Sequence, residues 1–171
     1  MTLYLLRHGV AEDAPAGGTD RDRHLTSRGR LRMRRAAPGL RRLVRRLDAL
    51  YTSPYPRAAE TAAIVAAAMQ KGLKPHVLDA LVPDTSAMDI VRALRTMRGE
   101  RVMLVGHEPS LSATAALLLT GSIDGLHIAL KKGGCIAITL RAPAPRAAVL
   151  DWVATPRTLR RIDRVSAKPG A

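Results

Sequence analysis

The chain reads as an α/β protein whose mostly parallel sheet of about six strands is covered by helices on both faces. Three observations predict this. Short apolar runs alternate with longer segments of helical spacing from one end to the other, and no Ser-rich linker, low-complexity run or repeat divides them. The composition is 47% hydrophobic but only 2% aromatic, with no Phe, so the core is assembled from Leu, Val, Ile and many alanines, which suits helices packed closely on a sheet. The length of 171 residues suits a single domain that buries roughly two thirds of its unfolded surface.

The first strand is expected at about residues 2–6, within Leu3-Tyr4-Leu5-Leu6, and it ends at Arg7-His8-Gly9. Thr26 then serves as N-cap of a helix that reaches about Leu47, with Pro38-Gly39 expected to kink or interrupt it. In the basic stretch from Arg28 to Arg46, the residues Leu31, Leu40, Leu43, Val44 and Leu47 are spaced for one buried face, which leaves the arginines in water. A second strand over about 48–52 runs into Thr52-Ser53-Pro54, and an Ala-rich helix follows from about 56 to 70, stopped by Gly72. A short third strand lies near 76–78, then Pro83 and a helix from about Ser86 to Met97. Arg101 to Val105 is a buried strand closed by Gly106-His107-Glu108, after which Pro109 opens a helix at its favoured first position. Residues 134–140 and 147–153 read as two neighbouring strands joined by a Pro-containing turn, and the basic tail from about 157 is expected to pack loosely.

Composition also restricts function. The formal charge of +14 invites a nucleic-acid reading, because Lys and Arg neutralise phosphates. Single-strand binders interleave aromatics for base stacking, whereas this chain has only Tyr4, Tyr51, Tyr55 and Trp152, so the basic helix is read as a solvated face. Cys135 is the sole cysteine and has no partner for a disulfide, and no Cys or His spacing suits zinc. No cofactor and no metal are expected. The opening apolar run is too short for a signal-peptide core of about 7–15 residues, and the longest uncharged stretch, Pro109 to Ile123, falls short of the roughly 20 residues of a membrane span. A cytoplasmic protein without membrane contact is expected, its oligomeric state left open.

In parallel α/β sheets ligands bind beyond the carboxyl ends of the strands. The residues just past those ends here are Arg7-His8-Gly9, Ser53 through Arg57, Pro83-Asp84 and Gly106-His107-Glu108. Two histidines and two arginines therefore converge on one rim. Two guanidiniums can clamp a phosphoryl group bidentately while an imidazole attacks phosphorus. A second imidazole can hydrogen-bond the equatorial oxygens, and helix N-termini near Pro54 and Pro109 offer backbone N–H groups. Gly9 would let the backbone approach the ligand. His24, His76 and His127 match no such pattern and are read as structural or surface residues.

With LLRHGVAE at 5–12, RHLTSRGR at 23–30, YTSPYPRAAETA at 51–62 and LVGHEPSLS at 104–112, supported by LKKGG at 130–134, nearly the whole chain resembles the histidine phosphatase superfamily, and most closely its small SixA-type phosphohistidine phosphatases. The resemblance implies a three-layer α/β/α sandwich of the phosphoglycerate mutase-like kind. It implies that His8 accepts the phosphoryl group covalently and that Arg7, Arg57 and His107 complete the pocket. The Glu108 backbone would add a donor, and Ser53 would line the site.

The larger mutase-like members carry a glutamate acid on an insertion that this chain lacks. Asp84 is the best remaining candidate for a general acid, while Glu60, one turn beyond Arg57, is better placed to orient an arginine. Expelling an alkoxide unprotonated is difficult when the parent hydroxyl has a pKa near that of water, about 15.7. Imidazole, which protonates near pH 6.5, asks less of the enzyme. The expected substrate is therefore phosphohistidine on a protein. A small phosphomonoester such as a sugar phosphate or nucleotide is the alternative, and a non-catalytic anion- or RNA-binding module stands further off.

Overall fold

The computed structural model describes residues 1–166. The elements in chain order are β1 (Thr2–Arg7), α1 (Ser27–Val44), β2 (Ala49–Thr52), α2 (Pro56–Met69), β3 (Pro75–Val77), α3 (Ala87–Leu94), β4 (Arg101–Gly106), α4 (Ser110–Thr120), β5 (Cys135–Leu140), β6 (Ala148–Ala154) and α5 (Pro156–Ser166). The six strands form one sheet in the order β3-β2-β4-β1-β5-β6. The three pairs from β3 to β1 are parallel. β5 runs antiparallel to β1 and to β6, because β5 and β6 are arms of one hairpin.

Strand alternation divides the core. Tyr4, Leu6, Leu50, Met103, Val105 and Ala137 point to one side, where α1, α2 and α5 cover them. Leu3, Leu5, Val102, Leu104, Ile136 and Ile138 point to the other, under α3 and α4. The result is the three-layer sandwich. Cys135 is fully buried, and burial pushes its thiol up, away from nucleophilic use.

Helix α1 departs from expectation in two ways. Its buried face is Met33, Ala36, Ala37, Leu40 and Val44, while Leu31 and Leu43 are 47% and 37% exposed. Spacings of three, four and seven from Met33 define that face, and Leu31 lies nearly opposite it. Nor does Pro38-Gly39 interrupt the helix, which is continuous through both. Proline removes one backbone donor, and burial of Leu40 and Val44 beyond it holds the remaining turns. Gly39 is where α5 crosses: a Cβ there would lie 1.9 Å from the Leu159 carbonyl oxygen.

That crossing also corrects the expectation of a loose tail. Through Ser166 the tail is helix α5, with Leu159 fully buried and Arg42 Nε 3.3 Å from Asp163 Oδ1. Pro109 stands one residue earlier than expected, as the residue that precedes α4. Thr26 caps α1 as expected, its hydroxyl accepting the Gly29 N–H at 2.8 Å.

Candidate active site

The parallel strands β1, β2 and β4 end side by side, and backbone bonds knit their ends. His8 N–H donates to Gly106 O at 3.1 Å and Ser53 N–H to Val105 O at 3.0 Å. Arg7, His8, Ser53 and His107 are thereby brought to one rim. Pro56 starts α2 immediately beyond β2, which places Arg57 in its first turn. His8, Ser53, Arg57 and His107 are all buried, each at 5% exposure or less.

The imidazole of His8 has Nδ1 2.7 Å from the Gly9 carbonyl oxygen. A carbonyl only accepts, so Nδ1 carries the proton and Nε2 keeps its lone pair. Burial, then the positive fields of Arg57, Arg7 and Lys132, lowers the His8 pKa to about 4, against the opposing effect of the Gly9 bond. His8 is thus a neutral, oriented imidazole at pH 7, with the lone pair of Nε2 unprotonated.

His107 lies 5.0 Å from His8, ring centroid to ring centroid. Its Nε2 is 3.0 Å from Ser53 Oγ. Ser53 Oγ accepts the Tyr55 N–H at 3.3 Å and keeps both a hydrogen and a second lone pair with which to meet His107 Nε2. Burial, followed by His8 and Arg57, lowers the His107 pKa to about 3. Tyr55 packs edge-on against His107 at 5.4 Å and under the Arg57 guanidinium at 5.1 Å.

Arg57 is held by a residue that the motif reading missed. Asp20 Oδ2 accepts from Arg57 Nη2 at 2.6 Å, and the Asp20 carbonyl accepts from Nη1 at 2.5 Å. Asp20 sits in a 3-10 turn, Asp20–Asp22, on the excursion between β1 and α1. The base of that excursion is pinned by Glu12 N–H to His24 O and Thr26 N–H to Val10 O. Arg23, 2.7 Å away, and then Arg57 hold the Asp20 carboxyl below its usual range. From within α2, Thr61 Oγ donates to Arg57 O at 2.7 Å and accepts the Gly9 N–H at 3.0 Å, tying both cationic walls together.

Arg7 donates from Nη1 to Leu130 O at 2.9 Å. Three buried atoms in the described structure have no hydrogen-bond partner, and all three belong to this cluster: Arg7 Nε, Arg57 Nε and His107 Nδ1. The two guanidinium nitrogens are N–H donors, and His107 Nδ1 is one whenever Nε2 accepts from Ser53. Leaving a buried polar group unmet costs about 1–3 kcal/mol, so the three together describe a cradle for an oxyanion.

The remaining expected residues are placed differently. The Gly9 N–H is engaged by Thr61, and the Glu108 carboxylate accepts the Ser112 N–H at 3.0 Å in the first turn of α4, its pKa raised by burial. Asp84 is exposed, with φ of 63°, and borders a surface hollow with Ser86, Pro109 and Ser110. It shares no hydrogen bond or ion pair with Arg7, His8, Arg57 or His107. Glu60 does orient an arginine, but that arginine is Arg30, at 2.8 Å, and it also holds His24 at 2.5 Å. Among the described residues no group of three or more His, Cys, Asp or Glu side chains is arranged to hold a metal, and no helix is long and apolar enough to cross a membrane.

A neutral imidazole ringed by cationic and N–H donors belongs to the class of proteins that handle phosphoryl groups. The chain is a member of the histidine phosphatase superfamily: its branch 1 model matches residues 3–82. An uncharacterized protein of Picosynechococcus sp. is 37% identical over 149 residues, covering 85% of this chain and 88% of that protein. Among solved structures, a SixA assigned as a phosphohistidine phosphatase from Nakamurella multipartitia is 25% identical with a TM-score of 0.73, covering 91% of this chain and 95% of its own. The protein histidine phosphatase SixA complexed with tungstate aligns with a TM-score of 0.78 at 22% identity, covering 93% and 99%. The fold is shared more widely, since the alpha-ribazole phosphatase of Shigella flexneri aligns at 0.69 with 17% identity over 91% and 97%. The chain is thus a phosphatase by family.

Proposed function

We propose that the protein hydrolyses phosphohistidine on proteins through a covalent intermediate at His8. The observation that carries the reading is the set of three unpartnered buried nitrogens, two of them guanidinium donors, around a neutral imidazole whose Nε2 is free. Arg7 and Arg57 bind the phosphoryl oxygens, and His107 donates from Nδ1 to a third. His8 Nε2 attacks phosphorus, and the P–N bond of the substrate breaks with its electron pair on the substrate's ring, which carries a proton on its other nitrogen and so departs as neutral imidazole. Water then attacks the phosphorus bonded to His8, releasing inorganic phosphate and restoring the neutral ring.

The leaving group follows from the carboxylates. Asp20 is the acidic side chain bonded into the cluster, and its arginine partners keep it ionised, so it positions Arg57 rather than supplying a proton. A site so equipped favours a leaving group that departs with little help, and imidazole is one. Two of the similar folds are SixA phosphohistidine phosphatases, which supports the same substrate class.

The test offers a labelled phosphodonor to wild type and His8→Ala, with an alkaline quench. Acid-labile label on wild type alone is expected, and turnover without labelling would overturn covalent catalysis at His8. In parallel, a phosphohistidine protein is compared with small phosphomonoesters. Efficient hydrolysis of the esters with the phosphoprotein untouched would overturn the substrate class.

A further inference from the structure

The LKKGG segment supplies no group to the phosphoryl oxygens in the chemistry above, yet it is bound tightly to the nucleophile's strand. Gly133 N–H lies 3.0 Å from both the Arg7 and the His8 carbonyl oxygens, and Arg7 N–H donates to Gly134 O at 3.0 Å. Arg7 Nη1 holds Leu130 O from the other side. Gly133 has φ of 76°, and a Cβ there would lie 2.6 Å from Met33 Sδ, so this turn admits only glycine. The effect is to stand Lys131 and Lys132 beside the end of β1.

A hollow of about 460 Å³ opens there, walled by Lys131, Lys132, Arg32 of α1, Arg160 of α5 and Arg7. No carboxylate lines it, and none of Arg32, Lys131, Lys132 and Arg160 forms an ion pair within the described residues. Elsewhere arginines of α1 are paired, Arg30 with Glu60 and Arg42 with Asp163. Five cations from four segments thus face one concavity with no internal counter-charge. The wall they share with the phosphoryl pocket is Arg7, so an anion seated here sits next to the reacting group. The docked α5 contributes one of the walls, which gives its packing against α1 a consequence at the site.

We propose that this hollow is a substrate subsite that takes an acidic side chain of the phosphoprotein, adjacent in the docked complex to the phosphohistidine. The proposal rests on the phosphohistidine reading above and adds the partner's chemistry to it. A protein of net charge +14 already draws acidic partners by its long-range field. The hollow converts that general attraction into a local one, at a fixed offset from His8.

The experiment uses two phosphohistidine peptides that differ only in carrying Asp and Glu, or Asn and Gln, around the modified residue. Wild type is expected to favour the acidic peptide about tenfold in kcat/KM, since a few partly exposed charge pairs supply a preference of that order. In Arg32→Gln/Lys131→Gln, whose altered residues are both exposed, the preference disappears while the neutral peptide is turned over at the wild-type rate. Equal rates with both peptides in wild type, or a preference that survives the double variant, would overturn the subsite and leave the phosphohistidine reading standing. If neither peptide is hydrolysed, the phosphohistidine reading fails, and anisotropy with the unphosphorylated peptides still decides the subsite: discrimination lost in the double variant supports it, and no discrimination overturns it. Tight binding of inorganic pyrophosphate without peptide discrimination would overturn it in favour of a small polyanion.

Discussion

The arginines of α1 and those of the pocket use one side chain in opposite ways. Arg28, Arg34, Arg35 and Arg41 lie exposed on the outer face of a helix whose inner face carries the packing. Arg57 is 3% exposed, gripped through both Nη atoms by Asp20, with its Nε buried and unbonded to any protein group. The first set adds four positive charges, to a chain of net charge +14, and little structure. The second contributes two charges whose direction is set by backbone carbonyls, a carboxylate and an aromatic ring. Function here follows from which cations are buried and aimed, not from how many there are.

Arg57→Ala breaks the contrast at its strongest point. Loss of one pre-aimed cationic donor is expected to lower kcat/KM about 10³-fold, measured on any phosphohistidine substrate, while Arg34→Ala/Arg35→Ala leaves it within error. Comparable losses in the two variants would mean that charge alone, and not aim, carries the activity.

Asp20→Asn tests the aiming itself. The amide keeps the shape but surrenders the ion pair, and a misplaced Arg57 is expected to lower kcat/KM by about 10- to 100-fold, with the loss in kcat exceeding the rise in KM. An unchanged kcat would show that Arg57 keeps its place without its partner.

Gly39→Ala addresses the helix that carries the exposed arginines. A methyl group driven against the Leu159 carbonyl forces α1 and α5 apart, at an expected cost of about 1–3 kcal/mol in urea unfolding. Pro38→Ala at the neighbouring position carries no such clash, so equal destabilisation by the two would remove the crossing as the cause.

The pocket histidines also leave a signature in stability. Their folded pKa values, about 4 for His8 and about 3 for His107, lie below the unfolded value near 6.5. Between those limits the unfolded chain binds more protons than the folded one. Stability is therefore complete above pH 6.5 and declines as pH falls through 5 toward 4. Urea midpoints in phosphate-free buffer at pH 7 and pH 5 measure this, and His107→Asn should shrink the difference. A wild-type midpoint indifferent to pH would contradict burial of the neutral rings.

Much of this was legible before any coordinates. Arg7, His8, Ser53 and His107 each fall within a residue of a strand end, with Arg57 five residues past β2 in the first turn of α2, and strand ends show as apolar runs stopped by Gly, Pro or a charge. The parallel sheet gathers such ends by its own geometry. Asp20 was illegible because it meets Arg57 across 37 residues from an irregular loop, where neither period nor motif marks it. The docking of α5 was hidden for a related reason: one buried leucine among arginines reads as a tail until its partner is seen to be Gly39, a residue whose own signal says helix breaker. Leu31 and Leu43 misled because hydrophobicity was counted without fixing the helix phase.

The three unpartnered nitrogens bear on more than the forward reaction. A cradle that meets an oxyanion with two guanidinium N–H groups and an imidazole does not distinguish the phosphoryl group being removed from the inorganic phosphate left behind. Free phosphate bound there stabilises the fold by mass action and occupies the enzyme against its next substrate. The rate of such a phosphatase is therefore tied to the phosphate status of its surroundings, slowing as its product accumulates.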